Sequence, residues 1–181
     1  MKSKIMPAVL LAASVLLTNA CSSTRTQEAP GEVIDDSLLT AKVKAALIDD
    51  PVTKAGQINV ETYRGVVQLG GFVDNATEKN RATQVAGAVT GVKEVRNDLR
   101  VSSPQSTEQA VDDGVVTTAV KARLVEDSTT KAYHINVETQ KGVVQLTGFV
   151  NSNEEKARAA ELAGKVDGVV SVKNDLEIRQ N

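Results

Sequence analysis

The chain has 181 residues, a formal net charge of −2 from 21 basic and 23 acidic side chains, two phenylalanines, two tyrosines and no tryptophan. Near-neutrality argues against a non-specific nucleic-acid binder, which needs a basic surface, and the scarcity of aromatics against a base-stacking platform. A single cysteine excludes an internal disulfide, and a single histidine beside it leaves too few ligands for an ordinary zinc site.

Lys2 and Lys4 open the chain, and an apolar run follows at residues 6–17. That run is too short to span a bilayer as a helix and has the form of a secretory h-region. Thr18 and Ala20 put small residues at the two positions a signal peptidase reads. Residues 1–20 are therefore expected to be an export signal; a retained membrane anchor is the alternative, which the short run disfavours. Without Lys2 and Lys4 the net charge goes from −2 to −4.

Cys21 stands directly after Ala20. The segment Leu17-Thr18-Asn19-Ala20-Cys21 resembles the lipobox of bacterial lipoproteins, which are cleaved before a cysteine that is then acylated. Thr18 stands where an aliphatic residue is usual, and Asn19 is unusual at its place. Cleavage by the ordinary peptidase would instead leave an unmodified thiol. Cys21 is taken as the lipidation site. Two or three acyl chains, at about 0.8 kcal/mol per buried CH₂, would anchor the chain durably. Ser22 resembles the residue that directs lipoproteins onward to the outer membrane. The expected location is the periplasm, at the outer membrane through acylated Cys21.

Residues 21–34 read as a flexible tether, polar and rich in turn formers such as Pro30-Gly31. Asp36 or Ser37 can then cap a helix through about residue 48, with Leu39, Val43, Ala46 and Leu47 on one face. Asp49-Asp50-Pro51 ends it. Ile58-Asn59-Val60-Glu61-Thr62 alternates as a half-buried strand does. Tyr63-Arg64-Gly65 predicts a short hairpin with Gly65 at positive φ, leading into Val66-Val67-Gln68-Leu69. Gly71 marks a bulge or a close backbone approach. Asp74-Asn75 caps a second helix with Ala82, Val85, Ala86 and Val89 on its apolar face, and Gly91 is expected at its left-handed end. Val95, Leu99 and Val101 mark the last strand.

The chain then repeats itself. Residues 35–101 align with 112–178 at a constant offset of about 77, without insertion, and roughly 37 of about 67 positions are identical. Residues 102–111 read as a linker, short enough to predict that the repeats sit close together. Val116, Val120 and Leu124, the strands from Ile135 and Val143, Gly142, Gly148, the cap at Asn151-Ser152-Asn153, Gly168, and Val172, Leu176 and Ile178 reproduce the first pattern. The expected fold class is α+β: two tandem αββαβ domains, 35–101 and 112–179, each with two helices on one face of a three-stranded mixed sheet. One such domain is only marginally stable alone. Its outer sheet face carries Asn59, Glu61, Gln68 and Asp98, either wet or an interaction surface.

These residues carry a resemblance. Residues 35–47, Ile-Asn-Val-Glu-Thr at 58–62, Gly-Val-Val-Gln-Leu-x-Gly-Phe-Val at 65–73, Val-x-Gly-Val at 89–92 and Asn97-Asp98-Leu99, matched by Asn174-Asp175-Leu176, are similar to the BON domain. The resemblance covers about three quarters of the chain and implies the same αββαβ fold. It also implies an envelope role: association with membrane phospholipid or envelope proteins, support of outer-membrane integrity and osmotic tolerance, or a holdase service to exported proteins. In outer-membrane lipoproteins of this family the first helix of the second domain is associated with anionic phospholipid, helped by an aromatic. The corresponding helix here, residues 114–125, has Lys121 and Arg123 and no aromatic. The second repeat has eight basic and eleven acidic residues, the first nine of each.

No Gly-x-Ser-x-Gly elbow, phosphate loop or dinucleotide fingerprint occurs. His134 reads as a strand-edge histidine. Asp35-Asp36, Asp49-Asp50 and Asp112-Asp113 read as helix-end residues. Phe72 and Phe149 read as core plugs rather than ligand contacts. Lys42, Lys44, Lys121 and Arg123 are the candidates for lipid or partner contact, against a purely solvated role. The expectation is a non-enzymatic envelope protein without cofactor, metal, small-molecule substrate or nucleic acid. Two rivals stand beside it: a soluble periplasmic holdase, and a hydrolase that would need carboxylates brought together across the domain junction.

Overall fold

A computed structural model describes residues 35–102, 112–130 and 134–179. The expected signal, Cys21, the tether and nearly all of the linker lie outside the described residues. Helix α1 (Asp36–Asp49) begins after Asp35, whose carboxylate accepts the Ser37 N–H at 2.8 Å. The cap is thus one residue before Asp36 and two before Ser37, which leaves Asp36 free for another task. Its carboxylate accepts the N–H groups of Arg64 and Gly65, at 2.6 and 2.9 Å. These form the tip of the hairpin between β1 (Ile58–Tyr63) and β2 (Val66–Val73). Arg64 and Gly65 have φ of 52° and 82°, the left-handed pair that a two-residue hairpin turn needs.

Helix α2 (Ala76–Gly87) is capped by Asn75, whose side chain accepts the Glu78 N–H at 2.9 Å. It stops before Val89 and Gly91. The left-handed glycine, with φ of 102°, belongs to the turn after the helix and not to its last turn. Val89 still packs against the core from that turn. The third strand comes in two pieces, β3 (Glu94–Asn97) and β4 (Arg100–Val101), both parallel to β2. At the break the Asn97 side chain accepts the Leu99 N–H at 3.0 Å and donates to the Lys79 carbonyl at 2.7 Å, tying the strand to α2.

The second repeat runs α3 (Asp113–Glu126), β5 (Ile135–Gln140), β6 (Val143–Val150), α4 (Asn153–Gly164) and β7 (Ser171–Ile178). Here β7 is continuous and pairs with β6 over its whole length. Asp112 caps α3, and Asp113 accepts the N–H groups of Lys141 and Gly142 at 2.7 and 2.8 Å. The fold class stands as expected: in each repeat two helices cover one face of a three-stranded mixed sheet, with the second strand central.

Each repeat has its own core. Leu39, Val43 and Leu47 of α1 meet Val60, Val67 and Leu69 of the sheet, with Ala82, Ala86 and Leu99. Val116, Val120 and Leu124 meet Val137, Val144 and Leu146 in the same way. Each such leucine or valine contributes about 1.5–3 kcal/mol on burial. On the central strands these core residues alternate with Gln68 and Gln145, which point to the opposite sheet face and are nevertheless 1% exposed.

Candidate functional site

The reason for that burial is the other repeat. The two sheets meet through the faces opposite their helices, giving an α/β/β/α order of layers. Gln68 Nε2 donates to Asp98 Oδ2 on its own sheet at 2.8 Å and to the Asp175 carbonyl across the junction at 2.7 Å. Gln145 Nε2 donates to Asp175 Oδ2 at 2.8 Å and to the Asp98 carbonyl across the junction at 2.8 Å. Each amide oxygen is used as well. The Gly71 N–H donates to Gln145 Oε1, and the Gly148 N–H to Gln68 Oε1, both at 2.8 Å. The repeats are thus related by a local two-fold, and every buried amide group of the two glutamines is satisfied.

The glycines make this geometry available. Gly71 and Gly148 have φ of 117° and 128°, and a Cβ on them would stand 2.2 and 2.0 Å from the carbonyl oxygens of Gln57 and His134. The expected close backbone approach is therefore present, and it turns these N–H groups out of their sheets toward the partner glutamine. On the axis Gly70 faces its own counterpart, Thr147. A Cβ at residue 70 would stand 2.6 Å from Thr147 Oγ1 and Cγ2.

Around this centre the symmetry fails. Arg100 Nη2 contacts both oxygens of Asp175, at 3.0 and 2.8 Å, and Arg96 pairs with Glu177. Asn136 donates to Glu61 at 2.9 Å and Ser102 to Gln140 at 2.9 Å. Tyr63 packs on Phe149 with ring centroids 5.6 Å apart, and the Arg179 guanidinium lies 5.4 Å from the Tyr63 centroid. Phe149 is therefore a junction residue and not a plug in its own repeat's core. Phe72 is half-buried on the corresponding outer face, and it too is outside its repeat's core cluster.

A groove of about 720 Å³ opens beside the junction, lined by Tyr63, Val66 and Phe149 together with Arg96, Asp175 and Glu177. Of these, Arg96 is paired with Glu177, and Asp175 with Arg100. Asp98 and Asp175 are the carboxylates that the junction brings together. Both are held by glutamine amides, and Asp175 by Arg100 as well. His134 is half-buried in a neighbouring recess with Asp36, Glu61 and Phe149. Among the described residues no group of three or more His, Cys, Asp or Glu could hold a metal ion, and no helix is long and apolar enough to cross a membrane.

The four candidate cations are all exposed. Lys42 and Lys44 lie on α1 and Lys121 and Arg123 on α3, in opposite outer layers, so they do not form one patch. Sequence reasoning placed Gln68 and Asp98 on the outer face but did not foresee the crossed bonding, the Gly70–Thr147 contact or the role of Tyr63. The available signal was a glutamine between apolar neighbours, kept at the same place in both copies.

Both repeats match the BON domain, over residues 35–103 and 112–180. The chain is 42% identical over 151 residues to osmotically-inducible protein Y of Escherichia coli (strain K12), covering 82% of this chain and 75% of that protein. It is 40% identical over 143 residues to the outer membrane lipoprotein DolP of Haemophilus influenzae, covering 78% and 74%. It is 34% identical over 143 residues to a 21 kDa hemolysin of Actinobacillus pleuropneumoniae, covering 78% and 73%. With two full-length matches and these relatives, the chain belongs to the BON domain family, of which it holds two tandem copies.

Proposed function

We propose that this chain is a non-enzymatic cell-envelope protein. It is exported, held in the periplasm at the outer membrane through acylated Cys21, and works by associating with phospholipid membrane or envelope proteins in support of envelope integrity and osmotic tolerance. The observation that carries this reading is its similarity, at 40% and 42% identity, to a named outer membrane lipoprotein and a named osmotically inducible protein. The architecture agrees with it. The junction engages Gln68, Gln145, Asp98 and Asp175 in hydrogen bonds, and the helices form the outward layers.

Two measurements test it. The intact mass of the mature protein from its native host reports acylation: the diacyl or triacyl increment on a chain beginning at Cys21 supports the anchor, and an unmodified thiol removes it. Fractionation of the host envelope reports location; recovery in the cytoplasm would overturn the whole reading.

A soluble holdase is the second reading, favoured by the aliphatic residues left on the helical layers, such as Ile48 and Val125. Suppression of light scattering from an unfolded exported client tests it, and unchanged scattering at stoichiometric protein removes it.

A further inference from the structure

The centre of the junction does not tell the two repeats apart. Gln68 and Gln145, Asp98 and Asp175, and Gly71 and Gly148 are the same residue types at equivalent places. The crossed bonds among them would form equally well between two first repeats or between two second repeats. Discrimination therefore lies where the repeats differ, on the axis and at the rim.

On the local two-fold a residue meets its own counterpart. Gly70 meets Thr147, and a Cβ at residue 70 would stand 2.6 Å from the threonine Oγ1 and Cγ2. Two second repeats would set Thr147 on Thr147, and the side chains would overlap. Two first repeats would set Gly70 on Gly70 and leave empty the space that the Thr147 side chain fills, which forfeits its packing. They would also lose the Arg179 guanidinium from the Tyr63 ring, because Ser102 is the counterpart of Arg179.

Charge acts in the same direction. Arg96 pairs with Glu177, and Arg100 with Asp175. Glu177 is the counterpart of Arg100, so two first repeats would bring Arg96 against Arg100. Asp175 is the counterpart of Asp98, so two second repeats would bring Glu177 against Asp175. Each like pairing also keeps an opposite pair, Arg100 with Asp98 or Lys173 with Glu177. The crossing segments nevertheless differ in overall sign: residues 96–100 are net positive and 173–177 net negative. Only unlike repeats bring opposite signs together.

Each repeat closes around its own core cluster, and the junction is held largely by hydrogen bonds and ion pairs. The repeats can therefore separate without opening either core, and identical contacts re-form with a repeat of another copy. A short hinge such as the linker at 102–111 invites that exchange. We infer that the junction face of each repeat is a docking surface selective for the unlike repeat, with Gly70, Thr147, Arg96 and Glu177 setting the selectivity. Its partner outside the chain is a second copy, taken up by reciprocal exchange of repeats.

The test uses two mature full-length chains, each carrying Cys21→Ser so that neither acyl groups nor a disulfide joins copies. One carries Gly70→Arg, which blocks its first repeat; the other carries Thr147→Arg, which blocks its second. Neither is able to close its own junction. Each alone is expected to sediment as a single copy. The equimolar mixture is expected to form a two-copy complex, through Thr147 of one chain and Gly70 of the other, at least about tenfold tighter than either chain with itself. Self-association of either chain as tight as that of the mixture shows like pairing and overturns the selectivity. A mixture that stays as single copies, with the Val67 and Val144 amides still protected from exchange, overturns docking between copies. If those amides lose protection, Arg96→Glu and Glu177→Arg chains decide in their place, since both side chains lie at the rim and are partly exposed. Refolded together, they should give severalfold more two-copy complex than either refolded alone, because exchange restores an opposite pair in both junctions. Equal amounts in the mixture and in the single chains overturn the inference.

Discussion

Gln68 and Gln145 hold the two repeats together by crossing: Gln68 donates to the Asp175 carbonyl and accepts the Gly148 N–H, and Gln145 donates to the Asp98 carbonyl and accepts the Gly71 N–H. All four bonds lie in a junction where neither side chain is more than 1% exposed. Leaving such groups unpaired costs about 1–3 kcal/mol each. Gln68→Ala and Gln145→Ala should each lower the unfolding free energy by about 2 kcal/mol in urea titration. A loss under about 0.5 kcal/mol from both would show that the junction is open in solution.

The axis contact gives a sharper outcome. Gly70→Thr forces a side chain into Thr147 and should cost about 1–3 kcal/mol, the usual range for overpacking. The double change Gly70→Thr/Thr147→Gly moves the larger residue to the other side of the local two-fold and should recover stability to within about 1 kcal/mol. Recovery is specific to face-to-face packing; if the two changes simply add, residues 70 and 147 are not neighbours.

Gly71→Ala and Gly148→Ala should be more severe, on the order of 3 kcal/mol each. The new Cβ meets backbone, at 2.2 Å from the Gln57 oxygen and 2.0 Å from that of His134, and φ lies in the region that L-residues avoid. Thermal melting of the single variants checks this, and a shift of less than about 2 °C in either would contradict it.

Acid sensitivity follows from a pair of equivalent ion pairs. The Arg81 guanidinium beside Asp50, and Arg158 beside Asp127, hold those carboxyls below the usual aspartate value of 3.8, with the N–H groups of the next turn helping. A carboxyl with a lowered folded pKa makes the unfolded chain the tighter proton binder. Its stabilising effect is complete above the unfolded value and is lost as pH falls through the folded one. The urea midpoint should therefore hold steady from pH 7 to about 5 and drop below about 4. In Arg81→Ala/Arg158→Ala the midpoint should be lower at pH 7, with a shallower acid drop; an equally steep drop would assign it to other carboxylates.

The sequence was readable where local periodicity decides the outcome. Leu39, Val43 and Leu47 announce a helix face, and Arg64-Gly65 announces a tight hairpin, because each depends on neighbours within one turn of chain. The second helix was read too long because Val89 belongs to the core, and period alone does not separate a last helical turn from a following turn that packs on the same side. The junction was not readable. Whether Gln68 is wet or buried depends on a strand about 77 residues away, and a polar residue at an outward position satisfies either arrangement. The break in the third strand at Asp98 was also hidden, because Asn97-Asp98-Leu99 and Asn174-Asp175-Leu176 are identical and only the first is interrupted. The four candidate cations are exposed, and that α1 and α3 face opposite ways was not legible in the sequence.

Amide hydrogen exchange at Gly71 and Gly148 probes the joining of the repeats most directly, because each N–H donates to a glutamine of the other repeat. A face-to-face body predicts slow exchange at both glycines, with Gln145→Ala releasing Gly71 and Gln68→Ala releasing Gly148, while Val67 and Val144 in the cores stay protected. Fast exchange at both glycines in the unsubstituted chain would contradict it.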